Sequence, residues 1–258
     1  MKKVFIAGFT GAMGQKAVHL VMEDPAYQLV GVLAPGASNP DPQVYHLAPT
    51  TKVYNQLAQV DIKADIWLDF TVPQAVFANT QFALQQHMHP VVGTSGLQTE
   101  QIETLQELAQ QQGIGGIIVP NFGLSAVLLM KFAQEAAQYF PDAEIIELHH
   151  ADKQDAPSGT AISTAQLIAE QRQSPKQASP SHETLPHVRG GDYQGIKIHS
   201  VRLPGYVAHE EVLFGGPGEA LTIRQDSFDR QSFMKGVKLA LDQVMDLTEL
   251  VVGLEKIL

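Results

Sequence analysis

Short, almost wholly apolar runs alternate with amphipathic stretches through the first half of the chain. Val4 to Ala7, Leu29 to Leu33, Ile66 to Phe70, Val91-Val92 and Gly116 to Val119 read as buried strands. Runs apolar throughout are what a parallel sheet covered on both faces requires. The amphipathic stretches predict helices over Gln15 to Glu23, Pro73 to Gln86 and Thr99 to Gln111. The second carries proline in its first turn, where a missing N–H costs little. Strands alternating with helices predict a doubly wound parallel α/β sheet.

After Asn121 the pattern changes. A long apolar helix is predicted over Ser125 to Tyr139, an apolar strand over Glu144 to Leu148, and a helix from Ser158 to about Gln171. Gln173 to His187, rich in Gln, Ser and Pro, reads as a loop. Strands over Ile196 to Leu203, Val207 to Phe214 and Ala220 to Gln225 follow, separated by Pro204-Gly205 and Gly215 to Gly218. Such close spacing predicts antiparallel meanders. A last helix, Arg230 to Leu247, has the spacing to dock back on the first domain.

Composition narrows the function classes. The 258 residues are 44% hydrophobic and 17% charged, ordinary for a globular protein. A formal charge of −10 argues against a nucleic-acid surface, which needs a basic stripe. The absence of cysteine excludes disulfides, thiolate metal sites and cysteine nucleophiles. No apolar run approaches the roughly 18 residues of a membrane span. Met1-Lys2-Lys3 before Val4 to Ala7 superficially resembles a signal peptide, but the run is short and passes at once into glycines. A cytoplasmic protein is expected.

Those glycines carry the first chemical signal. Gly8-Phe9-Thr10-Gly11-Ala12-Met13-Gly14 follows the first strand and opens the first helix, a variant of the dinucleotide fingerprint. Glycine permits a tight turn and close approach to a pyrophosphate, whose charge the helix N-terminus favours. Taken alone the motif is equally a plain strand-to-helix turn; its place on the first strand of an alternating pattern favours a cofactor. The acidic residue that grips a ribose should end the second strand, yet that end reads Leu33-Ala34-Pro35, with neither carboxylate nor arginine. Asp69-Phe70-Thr71, Gly93-Thr94-Ser95-Gly96 and Asn121 stand at other strand ends, where ligands of open α/β sheets sit.

The most informative segment runs from Glu147 through His149, His150, Lys153 and Asp155 to Pro157-Ser158-Gly159-Thr160-Ala161. Two histidines and a lysine leave a strand and enter a helix start. Ser158 or Asp155 can cap that helix, and the N–H groups of Gly159 and Thr160 can receive a carboxylate. Lysine donates as a point charge or general acid, and histidine titrates near neutrality. A His pair at a strand end is also compatible with a solvated pair or a metal-ligand fragment. Adjacent histidines without a third ligand make a poor tetrahedral site, so no metal is expected. Ser158 sits in no nucleophile elbow and reads as a cap.

Together these residues resemble the 4-hydroxy-tetrahydrodipicolinate reductase (dihydrodipicolinate reductase) family over nearly the whole chain. The string E-x-H-H-x-x-K-x-D-A-P-S-G-T-A is present unbroken from Glu147 to Ala161. The G-x-x-G-x-M-G turn, Asp69-Phe70-Thr71, Gly93 to Gly96, Asn121-Phe122, Val201-Arg202 and His209 match in order. The resemblance implies a Rossmann-like cofactor domain over 1–122 and 229–258, and a mixed α+β substrate and tetramerisation domain over 123–228. It implies reduction, by NADH or NADPH, of a small dicarboxylate to tetrahydrodipicolinate in the diaminopimelate and lysine pathway. It implies His149 as proton donor or acceptor, Lys153 as proton donor, and His150 with Gly159 and Thr160 as substrate holders. Cofactor contacts are implied at Gly8, Phe9, Thr10, Gly11, Ala12 and Met13, at Gly93, Thr94 and Ser95, and at Val119, Pro120, Asn121 and Phe122. The chain departs from the family at Ala34-Pro35, around Arg189-Gly190-Gly191, and at Gln225, where some relatives carry histidine. Two other readings remain open: another amino-acid-related oxidoreductase on this scaffold, or a cofactor-sensing protein without turnover.

Overall fold

The computed structural model describes residues 1–173 and 182–258, so most of the loop expected over Gln173 to His187 lies outside the described residues. The chain begins with β1 (Lys2–Ala7), α1 (Ala12–Glu23), β2 (Tyr27–Leu33), β3 (Lys52–Tyr54), β4 (Ile66–Asp69) and α2 (Pro73–Gln85). Next come β5 (His89–Val92), α3 (Thr99–Gln112), β6 (Gly116–Ile118), α4 (Leu124–Ala136), β7 (Asp142–His149) and α5 (Gly159–Gln171). The remainder is β8 (Gly191–Tyr193), β9 (Ile196–Arg202), β10 (Ala208–Gly216), β11 (Glu219–Ser227), α6 (Phe233–Gln243) and β12 (Leu250–Val252). They form two compact units, Met1–Phe122 with Phe233–Leu258, and Gly123–Ser232.

The first unit is built on a seven-stranded sheet in the order β12-β6-β5-β4-β1-β2-β3, parallel at every pairing. Strand order runs outward in both directions from β1 and β4, which creates a switch point between them. Val4 to Ala7 are wholly buried, and the Phe5 ring stacks on Trp67 with centroids 4.4 Å apart. Two edge strands, β3 and β12, were not expected. Each has three residues and only one that is buried, too little to leave a period in the sequence. The last helix is also shorter than the expected Arg230 to Leu247, because 3-10 turns at Arg230–Ser232 and Val244–Asp246 bracket α6. Lys238 of α6 pairs with Asp24 at 2.7 Å.

The second unit holds a five-stranded sheet ordered β11-β10-β7-β9-β8. Here the expected meander is corrected. β10 and β11 form an antiparallel hairpin, but β9 pairs with β7 in parallel and β7 lies between β9 and β10. Close spacing along the chain suggested local pairing; instead β7, the central strand of the five, lies between β9 and β10. Helices α4 and α5 cover one face of the sheet, where Leu129, Ala133 and Ala165 meet Ile145, Ile198 and Phe214. The two-residue period therefore turns Ile145, Glu147 and His149 of β7 toward this covered face.

The turn after β1 shows why its glycines are placed as they are. Gly8 has φ +82°, and a Cβ there would run into the Phe70 backbone carbonyl beyond β4. A Cβ on Gly14 would strike the Gly8 carbonyl, whereas one on Gly11 would lie 3.4 Å from it. Gly8 and Gly14 thus close the turn, while the face at Gly11 stays open. We expect Gly8→Ala and Gly14→Ala each to cost about 2–3 kcal/mol in denaturant unfolding. Gly11→Ala, at the helix N-cap, should cost about 1 kcal/mol or less. Equal losses at all three positions would contradict this packing.

Candidate active site

In the first unit the expected cofactor residues gather at the carboxyl ends of β1, β5 and β6. They divide into two kinds. Phe9, Thr94, Val119 and Phe122 are buried and hold their loops from within. Thr10, Gly11, Ala12, Ser95 and Pro120 are exposed, with Met13, Gly93 and Asn121 half-buried. Phe9 packs edge-on against Tyr45, and Phe122 against Phe70 at 5.6 Å. Helix α1 starts at Gly11 with no side-chain cap and no acidic residue in its first turn. An uncapped helix start behind an open glycine suits a pyrophosphate, whose oxygens can take those N–H groups.

Asp69, at the end of β4, has a role that the sequence did not reveal. Its carboxylate is wholly buried and accepts from Thr71 Oγ1 at 2.6 Å, Thr94 Oγ1 at 2.7 Å, Asn79 Nδ2 at 2.9 Å and Trp67 Nε1 at 3.2 Å. The Thr71 backbone N–H is shared between Thr94 Oγ1 at 2.7 Å and Asp69 Oδ1 at 3.1 Å. Asp69 therefore ties the loop after β4 to the loop after β5. It also turns the Thr94 hydroxyl inward, so that loop presents its backbone rather than this side chain. At the end of β2, Ala34 is buried and Pro35 exposed, so no charged group stands at the position expected to read the ribose.

In the second unit β7 delivers the histidine and lysine run. His149 Nδ1 lies 2.5 Å from Glu147 Oε2, and the Glu147 side chain is wholly buried. Arg202, on the neighbouring β9, reaches both carboxylate oxygens, at 2.8 Å to Oε2 and 2.7 Å to Oε1. The Ser158 backbone N–H adds a bond to Oε1 at 3.3 Å. Burial works most strongly against ionisation of Glu147, but the bonds from His149 and Arg202 outweigh it and hold the carboxyl at about 2. Glu147 is thus a fixed anion that can only accept. An acceptor at this distance favours the ring tautomer with its proton on His149 Nδ1.

The other expected residues lie along the same segment. His150 is exposed just past the strand. Lys153 pairs with Asp155 at 2.7 Å, with the lysine side chain 21% exposed. Ser158 caps α5, its hydroxyl accepting from Ala161 N at 3.2 Å, which settles the cap in favour of Ser158 over Asp155. Gly159 and Thr160 then form the first turn of α5, and Gly159 is exposed with open space where a Cβ would be. Among the described residues no cluster of three or more His, Asp or Glu is placed to hold a metal ion. The partnership of Glu147 with Arg202 was missed in the sequence, because the two lie 55 residues apart and meet only through the β7–β9 pairing. Arg189, one of the departing positions, is held by Glu144, which also meets His199 at 2.9 Å.

Arg202→Met should cost about 3 kcal/mol, because it leaves a buried anion one partner short. The pH dependence has a definite sign. Glu147 ionises at about 2 in the folded chain against 4.5 for the free group, so its stabilisation is complete above about pH 4.5 and drains away toward pH 2. Glu147→Gln should flatten this acid limb in unfolding measurements; an unchanged limb would contradict the assignment.

The family model described as dihydrodipicolinate reductase, N-terminus, matches residues 2–122, and the one described as dihydrodipicolinate reductase, C-terminus, matches 125–258. The chain is 63% identical to a 4-hydroxy-tetrahydrodipicolinate reductase of Lactobacillus acidophilus, covering 100% of this chain and 98% of the relative. It is 64% identical to one of Limosilactobacillus fermentum, with 100% of both chains covered. A solved dipicolinate-bound dihydrodipicolinate reductase from Paenisporosarcina sp. TG-14 superposes with a TM-score of 0.91 at 49% identity over all of both chains. With matches spanning both units at this identity, the chain belongs to the dihydrodipicolinate reductase family.

Proposed function

We infer that this protein is an NAD(P)H-dependent oxidoreductase that reduces 4-hydroxy-tetrahydrodipicolinate to tetrahydrodipicolinate, with loss of water, in diaminopimelate and lysine biosynthesis. The observation that carries the mechanism is the buried Glu147 anion bonded to His149 beside the Lys153 segment. The nicotinamide, when bound, supplies the hydride. The first unit is assigned the dinucleotide, with the pyrophosphate at Gly8 to Met13 and further contacts at Gly93 to Ser95 and Val119 to Phe122. The second unit is assigned the substrate, because it carries the histidine and lysine run and the α5 start; dipicolinate is bound in the relative from Paenisporosarcina sp. TG-14.

Within that unit each residue has a separate task. His150 and the first-turn amides of Gly159 and Thr160 receive the two carboxylates. Lys153 delivers a proton as hydride addition builds negative charge on the substrate, and His149 exchanges a proton through Nε2. Asp155 accepts from the Lys153 ammonium and fixes its direction. To hold a dianion in a protein of net charge −10, this segment offers Lys153, the imidazole donors and the amides of the α5 start.

The same reading includes a homotetramer in the cytoplasm. Half-buried Ile146, Leu148 and Leu213 on the sheet face away from α4 and α5 support an assembly surface there. No helix among the described residues is long and apolar enough to cross a membrane. For the cofactor, Ala34 and Pro35 offer neither a carboxylate for a free ribose nor a cation for a 2′-phosphate.

In an assay with freshly generated substrate, His149→Gln and Lys153→Ala should each lower kcat by about 10²- to 10⁴-fold. Cofactor affinity, measured by fluorescence titration, should be unchanged. Equal weakening of cofactor binding would show that the roles are misassigned, and no oxidation of either cofactor by the wild type would remove the activity. Without a discriminating charge at β2, kcat/KM for NADH and NADPH should agree within roughly tenfold. A preference of a thousandfold would place a discriminating group elsewhere.

A further inference from the structure

The second unit contains a buried carboxyl that the mechanism above does not use. Glu210 on β10 stands directly opposite Glu147 in the antiparallel β7–β10 register. Residues paired in this way share a face, with Cβ atoms about 5 Å apart. Glu210 is 2% exposed, and its Oε1 has no hydrogen-bond partner in the structure. Glu147 meanwhile has gathered His149, Arg202 and the Ser158 N–H to itself. Two carboxyls thus share a dry row of the sheet, and the cations reach only one of them. Under those conditions one member ionises and the other keeps its proton.

The surroundings of Glu210 bear this out. From β7 it faces Glu147, whose charge acts on it, and from α5 the Thr164 hydroxyl. On β11 its partner is neutral Gln225, which accepts from Ser125 of α4 at 3.1 Å and donates to the Ala208 carbonyl at 3.3 Å. His209 and Glu211 on its own strand point to the opposite face, held by Asp226 at 2.7 Å and Arg224 at 2.8 Å. Burial raises the Glu210 carboxyl most, the Thr164 bond opposes it, and the charge of Glu147 adds to the rise, which reaches about 7.

We propose that Glu210 is a positioning residue for the reaction. Kept protonated, it lets Glu147 be the single buried anion that orients His149. Once ionised, it adds a second negative charge to the row and hinders proton delivery through His149. This rests on the reading of His149 as a proton-transfer group, so its test includes readouts that need no turnover.

The variant is Glu210→Gln, which fixes the neutral form with little change of shape. The wild-type kcat profile should contain an ionisation near pH 7 that the variant lacks. The variant should match wild type at pH 6 and exceed it about three- to tenfold at pH 8.5, with KM for NADH unchanged. A carboxyl whose folded value is raised binds more protons in the native state, so its contribution to stability falls as pH rises from about 4.5 to about 7. The variant should therefore gain thermal stability over wild type across that window. Infrared pH-difference spectra of the wild-type protein should show a protonated carboxyl band that disappears near pH 7, a readout that stands even if the variant does not fold. Superimposable kcat profiles would overturn the positioning role. A band lost entirely below about pH 5.5 would overturn the protonated state on which it depends. Inactivity of the wild type itself would sink the proposed function and leave the spectroscopic result intact.

Discussion

A carboxylate without water must be surrounded by donors or give up its charge, and the second unit is organised around one that keeps it. Glu147 is wholly buried, yet the Arg202 fork, the His149 ring and the Ser158 amide hold it ionised. Each of these donors comes from a different element. β9 brings Arg202, β7 itself brings His149, and the start of α5 brings Ser158. The charge is therefore a joint as well as a chemical group, since it fixes where the strand, its parallel neighbour and the helix start meet.

The first unit solves a related problem with a second buried carboxylate. Asp69 joins the loops after β4 and β5 through hydroxyl, amide and indole donors, all neutral. The loops so tied lie beside the switch point, where an uncapped helix start and an open glycine face provide backbone donors. Cation-held Glu147 transmits its charge to a histidine; neutrally held Asp69 fixes loop geometry. One feature orients an imidazole ring and the other fixes the shape of two loops.

Much of this was legible in the chain, and the parts that were not have physical reasons. Fully buried parallel strands leave continuous apolar runs, so β1, β2, β4, β5 and β6 could be read directly. Edge strands β3 and β12 bury too little to leave a pattern, and β8 at the edge of the second sheet is just as short. Beyond the β10–β11 hairpin, strand partners in the second sheet could not be read. Nothing local says that β9 pairs with β8 on one side but passes over β10 to lie parallel to β7 on the other. That single pairing hid the Arg202–Glu147 bond, and the β7–β10 pairing hid Glu210 in the same way. The string from Glu147 to Ala161 gave the chemical types and the helix cap, because those depend on neighbours within a few residues. Asp69 looked like a ligand-facing loop residue because a strand end cannot disclose which way its side chain turns.

The central claim is that an ionised Glu147 fixes the His149 ring with its proton on Nδ1. Nitrogen-15 NMR of labelled imidazole side chains, comparing wild type with Glu147→Gln at neutral pH, addresses it most directly. The account predicts a His149 ring protonated at Nδ1, with a strongly downfield proton that is lost when the carboxylate becomes an amide. A wild-type ring carrying its only proton on Nε2, or a spectrum indifferent to the substitution, would contradict it.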